Sequence, residues 1–153
     1  MILTDGLVPD GYGLGTWTQT SVPNANWNGI ASDSTGRYLA AVVDDGWIYV
    51  NNNYGSGTWT QTSAPSAGWS AIASDSTGRY LAAVVYVGGI YVNSNYGSGT
   101  WTQTSAPSAN WISIASDSTG RYLAAGKEGR IYTSKYYFCD ISCGRKFLTF
   151  SYF

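Results

Sequence analysis

GTWTQTSAPSAGWSAIASDSTGRYLAAVVYVGGIYVNSNYGS, residues 57–98, holds short runs of strand formers separated by turn formers. The strand runs are Trp69-Ser70-Ala71-Ile72-Ala73, Tyr80-Leu81-Ala82-Ala83-Val84-Val85 and Gly89-Ile90-Tyr91-Val92, and Thr100-Trp101-Thr102-Gln103 follows just beyond. All are rich in aromatic and β-branched residues, which suit a pleated surface. Between them stand Ser74-Asp75-Ser76-Thr77-Gly78, Gly88-Gly89, Asn93 to Gly99 and Ser105-Ala106-Pro107-Ser108, all of turn composition. No segment shows helical periodicity, so the expected class is all-β.

The same unit recurs along the chain. GTWTQT occupies 15–20, 57–62 and 99–104, and IASDSTGRYLAA occupies 30–41, 72–83 and 114–125, a period of 42 residues. Units 15–56 and 57–98 differ at nine positions, so each must suit the same structural slot. Four antiparallel strands in about 40 residues, repeated in tandem, are the sequence form of a β-propeller blade. The expected blades are 27–62, 69–104 and a partial 111–134, preceded by an orphan fourth strand at 16–19, within a repeat region of 1–134. Residues 135–153 form a divergent tail whose KFLTFSYF end has the composition of a replacement strand. The alternative is a β-trefoil, which also takes three units of about this length.

The stretches 51–59 (NNNYGSGTW) and 93–101 (NSNYGSGTW) resemble a degenerate Asp-box, the S-x-D-x-G-x-T-W turn of BNR-repeat propellers found in sialidases and photosystem II assembly factors. Asn stands in place of the Ser and Asp, and one residue is inserted before Thr-Trp. The resemblance covers residues 9–134. It implies a propeller whose box marks the hairpin between third and fourth strands, with the Trp packing between blades. In that turn Asn53 and Asn95 are expected to cap through their amides, while Gly55 and Gly97 take positive φ. A sialidase would also need an acid/base Asp, a nucleophilic Tyr and its Glu partner, and the sole glutamate is Glu128 in the partial third unit.

Composition excludes several other functions. Formal charge is −1, with no basic stripe of the kind nucleic acid requires. Residues 1–126 carry seven Asp against Arg37, Arg79 and Arg121, while 127–153 carry five Lys/Arg against Glu128 and Asp140. No apolar run approaches the roughly 18 residues of a membrane span, and MILTDGLVPDG lacks the basic and apolar regions of a signal peptide. Without histidine, Ser-His and Cys-His dyads are impossible, and Cys139 and Cys143 lack the further ligands zinc requires. On a strand those two cysteines would lie about 13 Å apart, too far for a disulfide. No metal, cofactor or enzymatic activity is expected.

Asp33, Asp75 and Asp117 precede Ser-Thr-Gly, where a carboxylate accepts backbone N–H groups; Arg37, Arg79 and Arg121 lie four residues on, placed to meet those carboxylates or cover aromatic faces. Differences between the first two units cluster at 22–29 against 64–71 and at 44–47 against 86–89, loops that share one end of an up-and-down blade. A varied rim on a uniform scaffold is how repeat proteins diversify recognition. The expected site therefore comprises Asn24, Asn26, Asn28, Asp44, Asp45, Trp47, Tyr86, Lys127 and Glu128, facing a protein or glycan ligand. The expected function is a non-catalytic binding module, with a self-associating scaffold as the alternative. Because the first fourth strand and the last three-strand set complement one another, a homodimer completing a six-bladed ring is expected.

Overall fold

A computed structural model of the chain describes residues 15–135. Each unit folds as its own antiparallel meander. Sheet I holds β1 (Trp27–Ser32), β2 (Leu39–Val43), β3 (Ile48–Asn51) and β4 (Thr60–Gln61). Sheet II holds β5 (Trp69–Ser74), β6 (Leu81–Val85), β7 (Ile90–Asn93) and β8 (Thr102–Gln103). Sheet III has three strands among the described residues, β9 (Trp111–Ser116), β10 (Tyr122–Lys127) and β11 (Arg130–Lys135). β1 packs beside β5 and β5 beside β9, so the first strands line one side and the sheets stack outward from them. Between units the backbone pairs at the bridges Gly46↔Ala67 and Gly88↔Ala109 and through the hydrogen bonds of Ser34 N–H to Ser76 O and Ser76 N–H to Ser118 O. Three separate stacked sheets replace the shared barrel that the trefoil alternative required.

The second strand explains the stacking. Every residue of β6, Leu-Ala-Ala-Val-Val, is buried, although successive side chains point to opposite faces. Leu81, Ala83 and Val85 join Trp69, Ile72 and Trp101 in a cluster that includes Ala40, Val42 and Ile48 of sheet I. Val84 faces the other way, into a cluster with Ile90, Trp111 and Ala125, and Ala82 meets Leu123. The sheet is thus apolar on both faces, and its paired alanines let neighbouring sheets approach closely.

Aromatic pairs brace each sheet. The first-strand Trp meets a third-strand Tyr edge to face in every unit: Trp27 with Tyr49, Trp69 with Tyr91 and Trp111 with Tyr132, at centroid distances of 5.5, 5.3 and 5.0 Å. The indole N–H groups of Trp27, Trp69 and Trp111 donate to the carbonyls of Pro23, Pro65 and Pro107, tying each incoming loop to its first strand. A bulge follows each of these Trp residues and turns the next side chain across to the following sheet. The Asn28 amide donates to the Trp69 carbonyl and the Ser70 hydroxyl to the Trp111 carbonyl.

The turn between third and fourth strands is organised by Asn51 and Asn93, not by Asn53 and Asn95. Oδ1 of Asn93 accepts from the N–H groups of Asn95 and Gly97, and its Nδ2 donates to the carbonyls of Ser98 and Thr100. Asn51 repeats this pattern in sheet I. Asn51 and Asn93 end a strand with buried side chains, while Asn53 and Asn95 are exposed two residues later. Gly55 and Gly97 do take positive φ, and the Trp59 and Trp101 indoles donate to their carbonyls.

Residues 16–19, expected as an orphan fourth strand, carry no strand pairing. A fourth strand pairs with the third strand of its own sheet, as β4 does with β3, and the described residues offer 16–19 no such partner. The tail from 136 onward, with the expected replacement strand and with Cys139 and Cys143, lies outside the described residues.

Replacing Asn93 with Ala should cost about 2–3 kcal/mol, since it strands the Gly97 N–H and two carbonyls in a closed turn. Asn95→Ala should stay within about 0.5 kcal/mol. Urea unfolding midpoints of the two variants test the assignment.

Candidate functional site

The variable loops do meet at one end. The β2–β3 turn closes through Val43 N–H to Trp47 O and Gly46 N–H to Val43 O, with Asp45 at φ 51°. Asp44 N–H donates to the Asn26 carbonyl, joining this turn to the loop entering its own sheet. Gly46 and Ala67 exchange hydrogen bonds, joining it to the loop entering the next sheet. Tyr86 N–H donates to Gly68 O and Gly88 bonds Ala109, so the pattern repeats one sheet on. The rim is a continuous band rather than separate loops.

Over Gly68 the carboxylates of Asp44 and Asp45 converge. A methyl group built on that glycine would lie 3.5 Å from Oδ1 of Asp45 and 3.8 Å from Oδ1 of Asp44. Trp47, Tyr86, Asn24 and Asn26 are exposed on the same rim, and the Tyr86 carbonyl also borders Gly68. Two expected members have other duties. Asn28 clamps sheet I to sheet II through its bond to Trp69 O, and Lys127 is half-buried with its ammonium 5.7 Å from the Tyr132 ring centre. Glu128 is exposed in a two-residue turn with Gly129, one residue shorter than its counterparts.

Sequence reading missed Val87. It is 68% exposed and sits at φ 59°, where its counterparts are Asp45 and Gly129. A β-branched side chain in the left-handed region is strained, so this turn holds an apolar group on the rim against backbone preference.

The opposite end is built for rigidity. Oδ1 of Asp33, Asp75 and Asp117 accepts from the N–H of Tyr38, Tyr80 and Tyr122, and Oδ2 accepts from the hydroxyls of Thr35, Thr77 and Thr119. Adjacent turns are linked, Ser34 N–H to Ser76 O and Ser76 N–H to Ser118 O. Arg37 and Arg79 donate from Nε to the carbonyls of Asn52 and Ser94, and lie 5.5 and 5.4 Å from the Tyr38 and Tyr80 ring centres. Arg121 is exposed. Burial pushes the Asp33 carboxyl up, but bonds from Thr35, Tyr38 and Arg37 outweigh it and hold the group below 3.8. For Asp117 the Thr119 hydroxyl dominates, and the group is again below 3.8.

Clefts open between sheets at this end. One of about 330 Å3 between sheets I and II is lined by Tyr38, Asn51, Asn52, Thr58, Tyr96 and Ser98, with Tyr38 and Tyr96 rings 4.8 Å apart. Its counterpart between sheets II and III, about 250 Å3, is lined by Tyr80, Asn93, Ser94, Thr100 and Ser116. Each cleft draws its walls from two different units, which no reading of one unit reveals.

No known family and no curated protein sequence matches the chain. Solved structures do. A chain of a nidogen/laminin complex matches at 20% identity and TM-score 0.59, over 71% of this chain and 44% of its own length. A GH74 enzyme of Niastella koreensis matches at 18% identity and TM-score 0.59, over 74% of this chain and 17% of its own length. The computationally designed protein Ika4 matches at 12% identity and TM-score 0.62, over 76% of this chain and 70% of its own length. The chain spans less than half the length of the first two, both of which are β-propeller-type folds. The shared architecture is that of an all-β propeller.

Val87→Gly relieves the left-handed valine and should raise the thermal midpoint by about 2–4 °C, read by calorimetry. Because the Asp33 and Asp117 pKa values are lowered on folding, their contribution to stability is present above pH 3.8 and is lost as pH falls further. Unfolding midpoints measured from pH 7 to pH 2.5 should drop over that range, and Asp33→Asn should flatten the drop.

Proposed function

We propose that this chain is a non-catalytic recognition module, presenting a protein- or glycan-binding rim on a propeller scaffold. The observation that carries the reading is the contrast between the two ends. One end repeats the same Asp-Ser-Thr-Gly turn in every unit, fastened by identical hydrogen bonds. The other changes from Asp44-Asp45 to Tyr86-Val87 on equivalent backbone and to Glu128-Gly129 in a shorter turn, and keeps Val87 exposed despite its strain. Side chains vary where they do not hold the scaffold together.

Partly exposed Trp47 and Tyr86 rings on the same rim as the Asp44–Asp45 carboxylates offer stacking and hydrogen-bond acceptance, a combination that suits either a sugar or a protein side chain. Catalysis is not part of the reading. The three repeated carboxylates sit in equivalent turns and are engaged by Thr hydroxyls and Tyr backbone N–H groups, whereas glycosidic hydrolysis needs two carboxyls in distinct environments. The likeness to Asp-box turns is supported by the bond network of Asn51 and Asn93 and by the buried Trp at the end of each box. A self-associating scaffold is the second reading, favoured by the exposure of Ile30 on sheet I and Ile131 on sheet III, faces that no described residue covers.

A glycan array, together with a binding screen against purified proteins, identifies the ligand. Replacing Asp44, Asp45 and Trp47 together by Ala should then weaken binding at least tenfold, as loss of an aromatic anchor typically does. Unchanged affinity in that variant would contradict the assignment.

A further inference from the structure

Each sheet has a trailing face, toward the preceding sheet, and a leading face, toward the following one. The trailing face of sheet II is covered by sheet I, and its leading face by sheet III. This leaves the trailing face of sheet I and the leading face of sheet III uncovered by described residues. We infer that a second copy of this chain covers both, the leading face of sheet III in each copy packing on the trailing face of sheet I in the other.

The chain itself shows what these faces accept, because equivalent residues occur in covered and uncovered versions. Ile72 on the trailing face of sheet II is 6% exposed, while Ile30, the same position in sheet I, is 65% exposed. On the leading face, Ile48 and Ile90 are 0% and 7% exposed, while Ile131 is 80% exposed. Ile131 pairs with Gly126 as Ile90 pairs with Val84, so the equivalence holds in register. The uncovered faces are therefore the two halves of a contact that the chain already makes twice, at sheets I–II and II–III. A contact between unlike surfaces of this kind closes into a ring or runs on as a filament. Propellers close with four to eight blades, and two copies of the three described sheets fall within that range.

Residues 16–19 fit the same closure. Thr62 and Ser63, which leave β4, lie against the turn of the next sheet, Thr62 beside Gly97 and the Ser63 hydroxyl bonded to Gly99 O. Thr20 and Ser21 lie identically against sheet I, Thr20 beside Gly55 and the Ser21 hydroxyl bonded to Gly57 O. The segment is thus already held where the outer strand of a preceding sheet belongs, with Trp17 98% exposed where its counterparts Trp59 and Trp101 are buried. β4 pairs Gln61 with Tyr49 and Thr60 with Val50. By the same register, Gln19 and Thr18 of one copy pair with Tyr132 and Thr133 of the other and complete sheet III. The closing contact differs in its side chains: Gly126 stands where Val42 and Val84 stand on the leading faces of sheets I and II, and the clamp made by Asn28 and Ser70 is replaced by Ile112, an exposed apolar side chain, so this junction loses a hydrogen bond and places its apolar groups differently.

The test uses the full chain and two variants, Ile30→Asp on the trailing face and Ile131→Asp on the leading face, with mass measured by light scattering at micromolar concentration. The wild type should have twice its 16.4 kDa chain mass. Each variant alone should be monomeric, because every junction then contains one altered face. An equimolar mixture should return to the dimer mass, since one junction joins an intact leading face to an intact trailing face. A monomeric wild type, a variant that stays dimeric alone, an open-ended series of larger species, or a mixture that fails to dimerise would each overturn the inference. Rim variants at Asp44, Asp45 and Trp47 leave these faces untouched, so failure of the recognition reading would not alter the masses.

Discussion

The structure depends on a strand that is apolar on both sides. Leu-Ala-Ala-Val-Val in β6 turns three side chains toward one neighbouring sheet and two toward the other, and all are removed from water. A meander built on such a strand has no face to give to solvent, so its stable environment is a place between two others like it. Stacking through the first strands follows, as does the bracing of each first-strand Trp against a third-strand Tyr. Burying a large apolar side chain stabilises by about 1.5–3 kcal/mol, which makes uncovered Ile30 and Ile131 a strong bias toward further stacking.

Stacking also divides the molecule into two unlike ends. At one end the turns of neighbouring sheets hydrogen-bond to one another and contain a carboxylate saturated by backbone and hydroxyl donors. Change there would break bonds in two sheets. At the other end the β2–β3 turns are tied through main-chain groups only, so side chains at 44, 45, 47, 86 and 87 vary without loosening the bridges beneath them. Constraint by side chain at one end and by backbone at the other is the physical basis for placing recognition on the rim.

Much of this was legible in the sequence because it is local and repeated. The 42-residue period, the strand composition and the Asp-Ser-Thr-Gly turn each sit within one unit, and the structure places strands and turns accordingly. What was not legible involves two units or the details of a backbone angle. Asn28 reads as an exposed loop residue until the bulge after Trp27 turns it onto Trp69 of the next sheet. The clefts join Tyr38 to Tyr96, residues from different units. Asn51 and Asn53 are the same residue type two positions apart, and only the strand's end decides which amide enters the turn. Residues 16–19 have the composition of a strand, but pairing depends on a partner that composition does not supply.

The most direct measure of the central claim, that every sheet of this repeat requires cover on both faces, is the dependence of thermal unfolding on protein concentration. If the outer faces of sheets I and III are covered by a second copy, association stabilises the folded state by mass action, and the midpoint rises by several degrees between 1 and 100 µM, on the order expected for linked dimerisation. A midpoint that stays constant over that range would mean that three sheets are stable with two faces open to water, and would contradict the account.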